Sequence, residues 1–117
     1  MKLLIFVLNK TEKLDEILTE FARINIRGAT ILESAGMARL LSHNHDEEEI
    51  PFLGSLRTFL TLEREKSNVI IAAIQASQLT DAVAAIESIV GDLSNKDTGV
   101  VFTVPIDYTK GIFEIGK

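Results

Sequence analysis

The side chains best suited to metal chemistry lie in one polar run, residues 42–49. His43 and His45 are separated by one residue and are followed by an acidic stretch, residues 46–49. Imidazole and carboxylate groups bind zinc or copper, and two histidines at this spacing can reach one ion from an extended backbone. The alternative is a solvated loop, because a mobile segment offers no rigid geometry and no hydrogen bonds that orient the ligands. The loop is favoured, so no metal site is predicted.

Patterns that would support catalysis are absent from the sequence. The chain contains no HExxH or P-loop pattern, no Ser/His/Asp set and no cysteine. A nucleophile or general base would therefore have no residue to orient it. The formal net charge of -5 also argues against a nucleic-acid binder, which needs a basic surface. The sequence predicts a protein that is not an enzyme.

A second group with binding potential, Gly36, Met37 and Arg39, follows a strand pattern. A glycine lets a ligand approach the backbone, and Arg39 can hold a phosphate through two parallel hydrogen bonds. Thr98 and Gly99 open the last strand, where backbone N–H groups could bind an anion. The alternative for both groups is structural: a strand terminus with a solvated arginine, and an ordinary turn. From chemistry alone the structural interpretation is favoured.

The elements that would position these residues form one domain, residues 1–117, with a long loop at about residues 40–66. Residues 3–8 and 69–74 are continuous apolar runs, typical of strands buried on both faces. The other predicted elements are a helix from Thr11 to Asn25, an outer strand ending at Gly36, a helix from Ser77 to Gly91 and a strand at residues 99–106. The order is β-α-β-β-α-β, so the predicted fold is an α+β, ferredoxin-like sandwich: an antiparallel sheet with both helices on one face.

Local signals define the expected ends of these elements. Thr11 and Ser77 can each cap the first turn of a helix through the side-chain oxygen. Asn25 and Gly91 tolerate the left-handed conformation with which helices end. Gly28 and Gly36 bound the outer strand, where residues that tolerate a positive φ are expected. In the loop, residues 51–60 predict a short helix.

Two helices of this length cover only one face of the sheet. The strands at residues 3–8 and 69–74 are apolar on both sides, so the other face would expose leucine, isoleucine and valine to water. Patches of this kind usually mark interfaces, which predicts a homo-oligomer with its sheets facing inward. The alternative is that residues 52–60 fold back over this face.

Four segments resemble motifs of the PII family of bacterial and archaeal signalling proteins, in order and at matching intervals. Residues 13–17 read Lys-Leu-Asp-Glu-Ile, similar to the family's Lys-Leu-Asp-Glu-Val. Residues 26–31 are similar to its Gly-Ile-x-Gly-Met-Thr-Val, and residues 36–39 to its Gly-Phe-Gly-Arg. Residues 101–106 resemble its Ile-Phe-Val-x-Pro-Val. The resemblance covers nearly the whole chain except about residues 40–66.

The resemblance implies a ferredoxin-like homotrimer that regulates a partner protein, a transporter or enzyme of nitrogen or carbon metabolism, through the 40–66 loop. It also implies an adenine nucleotide as effector in clefts between subunits, with no cofactor required. By motif match, Thr30 lies on the adenine side and Gly36 and Arg39 lie on the cleft. The full set of implied ligand-binding residues is Thr30, Gly36, Met37, Arg39, Gly99 and Lys110.

Departures from the family pattern predict weaker triphosphate binding. The phosphate loop of the family reads Gly-Asp-Gly-Lys, whereas Asp97, Thr98, Gly99 and Val100 stand here. The family's pair of arginines after the last strand has no match here, and only Lys110 lies nearby. The modifiable tyrosine of the family's long loop is also absent, since Tyr108 is the only tyrosine in the chain. Each lost charge-assisted bond is worth about 1.5–3 kcal/mol, which points to an effector such as AMP or cyclic AMP.

An alternative of another class is a metal-responsive trimer, similar to the divalent-cation tolerance proteins that share this architecture.

The apolar run at residues 3–8 is too short for a signal peptide, and no run could span a bilayer. A cytoplasmic protein is therefore expected.

Overall fold

The described part of the chain has four strands and two α-helices in the order β-α-β-β-α-β. The computed structural model describes residues 1–36, 66–95 and 98–112. Two short 3-10 helices, Thr11–Lys13 and Ala76–Gln78, precede the two α-helices. The main elements are β1 (Lys2–Leu8), α1 (Leu14–Arg23), β2 (Thr30–Ser34), β3 (Ser67–Ile74), α2 (Leu79–Val90) and β4 (Gly99–Pro105).

The strands form one antiparallel sheet in the order β2-β3-β1-β4. The predicted α+β class, with a four-stranded antiparallel sheet and two helices, is confirmed and is compatible with a ferredoxin-like fold. The continuous apolar strands β1 and β3 lie in the centre of the sheet, and one of their faces packs against the helices. The half-polar strand β2 lies at one edge, as its alternating pattern predicted, and β4 lies at the other.

The hydrophobic core fills the space between the sheet and both helices. On β1, Leu4, Phe6 and Leu8 are fully buried, and Ala72 and Ile70, the β3 partners of Leu4 and Phe6 in the register, are also buried. This alternation follows from the period of two along a strand, which sends every second side chain toward the helices. The other core residues are Ile17 and Phe21 of α1; Ile26, which lies between α1 and β2; Ile74 of β3; and Ala82, Ile86 and Val90 of α2.

The opposite side of the sheet, here called the open face, is apolar across all four strands. Along its rim Leu32, Val100 and Phe102 keep 49%, 51% and 48% of their surface exposed, and its central residues are half-buried. By the strand register, it consists of Leu3, Ile5, Val7, Thr30, Leu32, Val69, Ile71, Ala73, Val100, Phe102 and Val104. None of these residues is charged. The two helices therefore cover one face only, as predicted.

The helix starts differ from the predicted ones. Neither Thr11 nor Ser77 caps an α-helix, because each lies inside a 3-10 helix and no side-chain cap bond is made there. At the second helix Gln75 and Gln78 form a reciprocal capping box instead. The Gln78 amide also donates to the carbonyls of Ile24 and Asn25, at 3.1 and 3.4 Å, so it joins the start of α2 to the end of α1.

Gln78→Ala is expected to lower the free energy of unfolding by about 1–2 kcal/mol, because it removes a capping bond and the link to α1. Chemical denaturation monitored by circular dichroism would measure this change. Ser77→Ala is the matched control and should leave the midpoint unchanged. Equal losses in the two variants would contradict the glutamine cap.

The first helix ends as the sequence predicts, whereas the conformation at the end of the second helix and the start of β2 differ. Asn25 has a φ of 67°, so the predicted positive φ at the end of the first helix is confirmed, whereas Gly91 ends α2 at a φ of 95° and a ψ of -179°, outside the left-handed helical region. The prediction that Gly28 and Gly36 bound this strand is wrong, since β2 runs from Thr30 to Ser34, and neither glycine adopts a positive φ. The strand β2 begins only at Thr30 because the chain first buries Ile26, whose N–H donates to the carbonyl of Phe21 over 2.8 Å.

Several predictions lie outside the described residues. These are the short helix at 51–60, the possibility that 52–60 cover the open face, and the histidine pair His43 and His45. The same holds for Met37, Arg39 and Asp97. Within the described ranges, no helix has the length and apolar character needed to cross a membrane.

Candidate functional site

One end of the sheet gathers the residues that flank the 37–65 segment. There β1 and β2 finish and β3 and β4 begin. The hydroxyl of Ser34 donates to the carbonyl of Ser67 over 3.3 Å, and the Ser67 hydroxyl donates to Asn9 Oδ1 over 2.9 Å. Beside them Lys66 Nζ lies 3.2 Å from the carboxylate of Glu33. These bonds fix residues 34 and 67 together, so residues 36 and 66 leave the body close to each other. We call this region the loop end of the sheet.

The start of β4 also lies at the loop end and tolerates no side chain. Gly99 pairs with Leu8 and has a φ of 138°. A Cβ at this position would lie 2.5 Å from the backbone carbonyl oxygen of Val7 and 2.9 Å from the ring of Phe6. Thr98 before it is buried, and its hydroxyl donates to the carbonyl of Asn95 over 2.9 Å. The positive φ and the two close contacts therefore require a glycine here, independently of any ligand.

The four described residues of the predicted ligand set do not converge within one chain. Gly36 follows β2 and Gly99 begins β4, so they lie at the same end of the sheet but at opposite edges. Three strand spacings of about 4.8 Å separate these edges, which is about 14 Å. Thr30 lies at the start of β2, on the open face and level with Ile71.

Lys110 lies in the exposed tail beyond β4. Because Ile106 still pairs with Met1, this tail leaves from the end of the sheet opposite to the loop end. Lys110 is therefore separated from Gly99 by the length of β4 within one copy. The described members of this ligand set, Thr30, Gly36, Gly99 and Lys110, consequently share no pocket within one chain.

The turn between α2 and β4 uses its backbone donors internally. The N–H of Leu93 donates to the Glu87 carboxylate, and the N–H of Ser94 donates to the Asp92 carboxylate, both over 2.9 Å. Hydrogen bonds from the Ser94 hydroxyl and N–H hold the pKa of Asp92 below its usual value. Carboxylates thus occupy donors that could otherwise receive a phosphate. This arrangement opposes a highly charged anion at the turn.

The sequence reasoning missed this carboxylate pair and the polar contacts at the loop end. The Asp92-Leu93-Ser94 pattern could have indicated the first, because an aspartate often accepts the N–H two residues later. Nothing in the sequence indicates the bond between Ser67 and Asn9, which are 58 residues apart. It exists because β1 and β3 are neighbours in the sheet.

Several cations of the helical layer are already bonded within the chain. Arg23 donates to the Glu20 carboxylate, and this contact holds the pKa of Glu20 below its usual value. Lys13 lies 3.5 Å from Glu16, and Lys10 Nζ donates to the last carbonyl of α2, that of Val90, over 3.3 Å. These cations stabilise the fold and lie on the helical layer, away from the open face.

A shallow groove of about 430 Å³ lies between the two helices and does not coincide with the predicted site. Its lining is acidic and consists of Asp15, Glu16, Thr19, Glu20, Ser88 and Ile89. Within the described part of the chain, no group of three or more histidine, aspartate or glutamate side chains is arranged to hold a metal ion.

Comparison with known proteins adds no further assignment. No family model and no curated protein matches this chain. The resemblance to the PII family therefore depends on the short motifs at residues 13–17, 26–31, 36–39 and 101–106.

Proposed function

We propose that this protein is a non-enzymatic, PII-like regulator. It assembles as a ferredoxin-like homotrimer, binds a small effector in clefts between copies and controls a partner protein through residues 40–66. The partner is a transporter or enzyme, and nitrogen or carbon metabolism is the setting that the motif resemblance suggests. The single observation that carries the proposal is the open face.

The open face supports self-assembly because it is both apolar and uncharged across its whole width. Phe102 and Val100 of β4 and Leu32 of β2 keep about half of their surface in water. Isolated exposed apolar residues are normal, but a contiguous patch on a sheet marks an interface. A second copy of the protein presents the same apolar, uncharged surface, so the open face of one copy is a suitable partner for the open face of another. A homo-oligomer with inward-facing sheets satisfies this requirement.

The distribution of the predicted ligand residues supports a cleft between copies. Gly36 and Gly99 lie at opposite edges, about 14 Å apart within one sheet. When copies are arranged in a ring, the β2 edge of one approaches the β4 edge of the next. Gly36 of one copy and Gly99 of the next then meet at the loop end of each boundary, while Thr30 and Lys110 lie toward the opposite end of the sheet. The site is incomplete in a single chain, so effector binding depends on assembly.

The turn after α2 favours an effector with few phosphates. Glu87 and Asp92 already accept the N–H groups of Leu93 and Ser94. A triphosphate near this turn would be repelled by these two carboxylates more strongly than AMP, cyclic AMP or an uncharged ligand, because it carries more negative charge. This agrees with the missing phosphate-loop lysine.

A thermal-shift panel of adenosine, AMP, cyclic AMP, ATP and divalent metal ions tests the proposal. An effector at 100 times its dissociation constant should add about 2.7 kcal/mol to the stability of the assembled protein. Thr30→Val should weaken the shift, while Thr80→Val on the exposed side of α2 should not.

A shift by metals alone that disappears in His43→Ala/His45→Ala would instead identify the metal-responsive alternative. If no compound in the panel shifted the melting temperature, the protein would be a structural module without a ligand.

The role of residues 40–66 is tested separately by deleting residues 42–49. We expect the trimer to remain while the partner is no longer bound, since surface loops tolerate shortening.

A further inference from the structure

The edge strand β4 is attached to the rest of the protein less firmly than the central strands. It pairs with β1 alone, whereas β1 and β3 each have a neighbouring strand on both sides. No residue of β4 belongs to the buried core, and Val101 only packs against that core while partly buried. Separation of β4 from β1 therefore exposes less apolar surface than separation of a central strand would.

The sequence of β4 carries no charge and strongly favours extended structure. Residues 98–106 read Thr-Gly-Val-Val-Phe-Thr-Val-Pro-Ile, between Asp97 and Asp107. Valine, phenylalanine and threonine are all enriched in strands. Short segments of this composition, without charge and without an internal proline, are the ones that stack into cross-β aggregates. Gly99 and Pro105 bound such a segment here, so it consists of residues 100–104, which we call the β4 segment.

The β4 segment is accessible in the folded chain. Val100, Phe102 and Val104 lie on the open face and keep 51%, 48% and 42% of their surface exposed. Because β4 is an edge strand, every second N–H and C=O along it also lacks a partner strand. The segment therefore offers both apolar side chains and backbone hydrogen-bonding groups to another strand.

The other edge strand, β2, has protection that β4 lacks. Glu33 lies within β2, keeps 69% of its side chain exposed and forms an ion pair with Lys66 over 3.2 Å. The strand has five residues, against seven in β4. Short length and charged side chains are the means by which edge strands avoid uncontrolled pairing. Among the strands that the structure describes, the unprotected edge is therefore β4.

We propose that the β4 segment is a self-association site whose partner is the same segment of another copy. In a dissociated chain, β4 separates from β1 and stacks with β4 of other copies into a cross-β aggregate. The separation is necessary because folded domains are far wider than the strand spacing of about 4.8 Å. This inference goes beyond the proposed function, and only one part rests on it: the assembly covers the open face and so protects the segment.

Two variants with the same added charge on the open face test the proposal. Leu32→Asp on β2 and Phe102→Asp on β4 replace side chains that are 49% and 48% exposed, so both should give folded monomers. Only Leu32→Asp leaves the β4 segment uncharged. At equal concentration and under agitation, Leu32→Asp should lose soluble protein and bind thioflavin T, whereas Phe102→Asp should stay soluble. The wild-type trimer should aggregate more slowly than Leu32→Asp.

Further variants make the test independent of one substitution. Thr30→Asp, at another exposed position of β2, should aggregate as Leu32→Asp does. Addition of Val104→Lys to Leu32→Asp should restore solubility, although it returns the net charge to the wild-type value and so reduces repulsion between copies. Proteolysis of the aggregates, followed by mass spectrometry, should recover residues 99–105 within the resistant core.

The results that oppose the proposal are distinct from those that oppose the proposed function. Equal loss of soluble protein in Leu32→Asp and Phe102→Asp would overturn the β4 segment, and so would full solubility of both. A resistant core at residues 3–8 or 69–74 would assign the aggregation to the central strands instead. A wild-type monomer would contradict the proposed assembly, but it should still aggregate unless Val104→Lys is introduced.

Discussion

Phe102→Asp is expected to convert the proposed trimer into a folded monomer. Phe102 lies on β4 at the level of Ile5, within the open face, and 48% of its surface is exposed in a single chain. An aspartate here is hydrated in the monomer, so the fold should persist. In the assembly the carboxylate would be buried against apolar side chains without a partner, which costs several kcal/mol at each interface.

Sedimentation velocity at micromolar concentration would measure this change, with circular dichroism to confirm the fold. The control is Ala84→Asp, which adds the same charge at an exposed position on α2 and should leave the trimer intact. A folded wild-type monomer at this concentration would contradict assembly through the open face. So would a Phe102→Asp variant that unfolds, because Phe102 would then belong to the core of one chain.

The layered fold could be predicted because hydrophobic periodicity determines it. The continuous apolar runs of β1 and β3 are typical of central strands, and the structure places both in the centre of the sheet. The alternation at Thr30, Ile31 and Leu32 correctly indicated an edge strand. Helix starts could not be predicted in the same way, since Gln75 and Gln78 form a capping box at the 3-10 helix before α2, although glutamine is not a preferred cap.

The candidate site was less accessible to sequence reasoning because its residues come from distant parts of the sheet. Gly36 and Gly99 each match a motif, but their separation depends on which strands are at the edges. The carboxylate contacts of Glu87 and Asp92 depend on how the chain leaves α2. Motifs indicate which residues bind, whereas the topology determines whether one chain can bring them together.

Gly99→Ala is expected to lower the free energy of unfolding by about 3 kcal/mol, through backbone strain and a steric clash together. Gly99 has a φ of 138°, which side chains rarely adopt, and a Cβ would lie 2.5 Å from the carbonyl oxygen of Val7. The ring of Phe6, 2.9 Å from the same point, is fully buried and has no space to move into.

Gly91→Ala separates the two causes. Gly91 has a φ of 95°, but no atom lies within 4 Å of its added Cβ, so this variant reports strain alone and should lose about 1–2 kcal/mol. Urea denaturation of both variants at one protein concentration would measure the difference, which is the cost of the clash. Equal losses would contradict the close contact with Val7. A larger loss at Gly99 would show that the fold itself requires this glycine, so that its presence in a ligand-binding motif is not by itself evidence for a ligand.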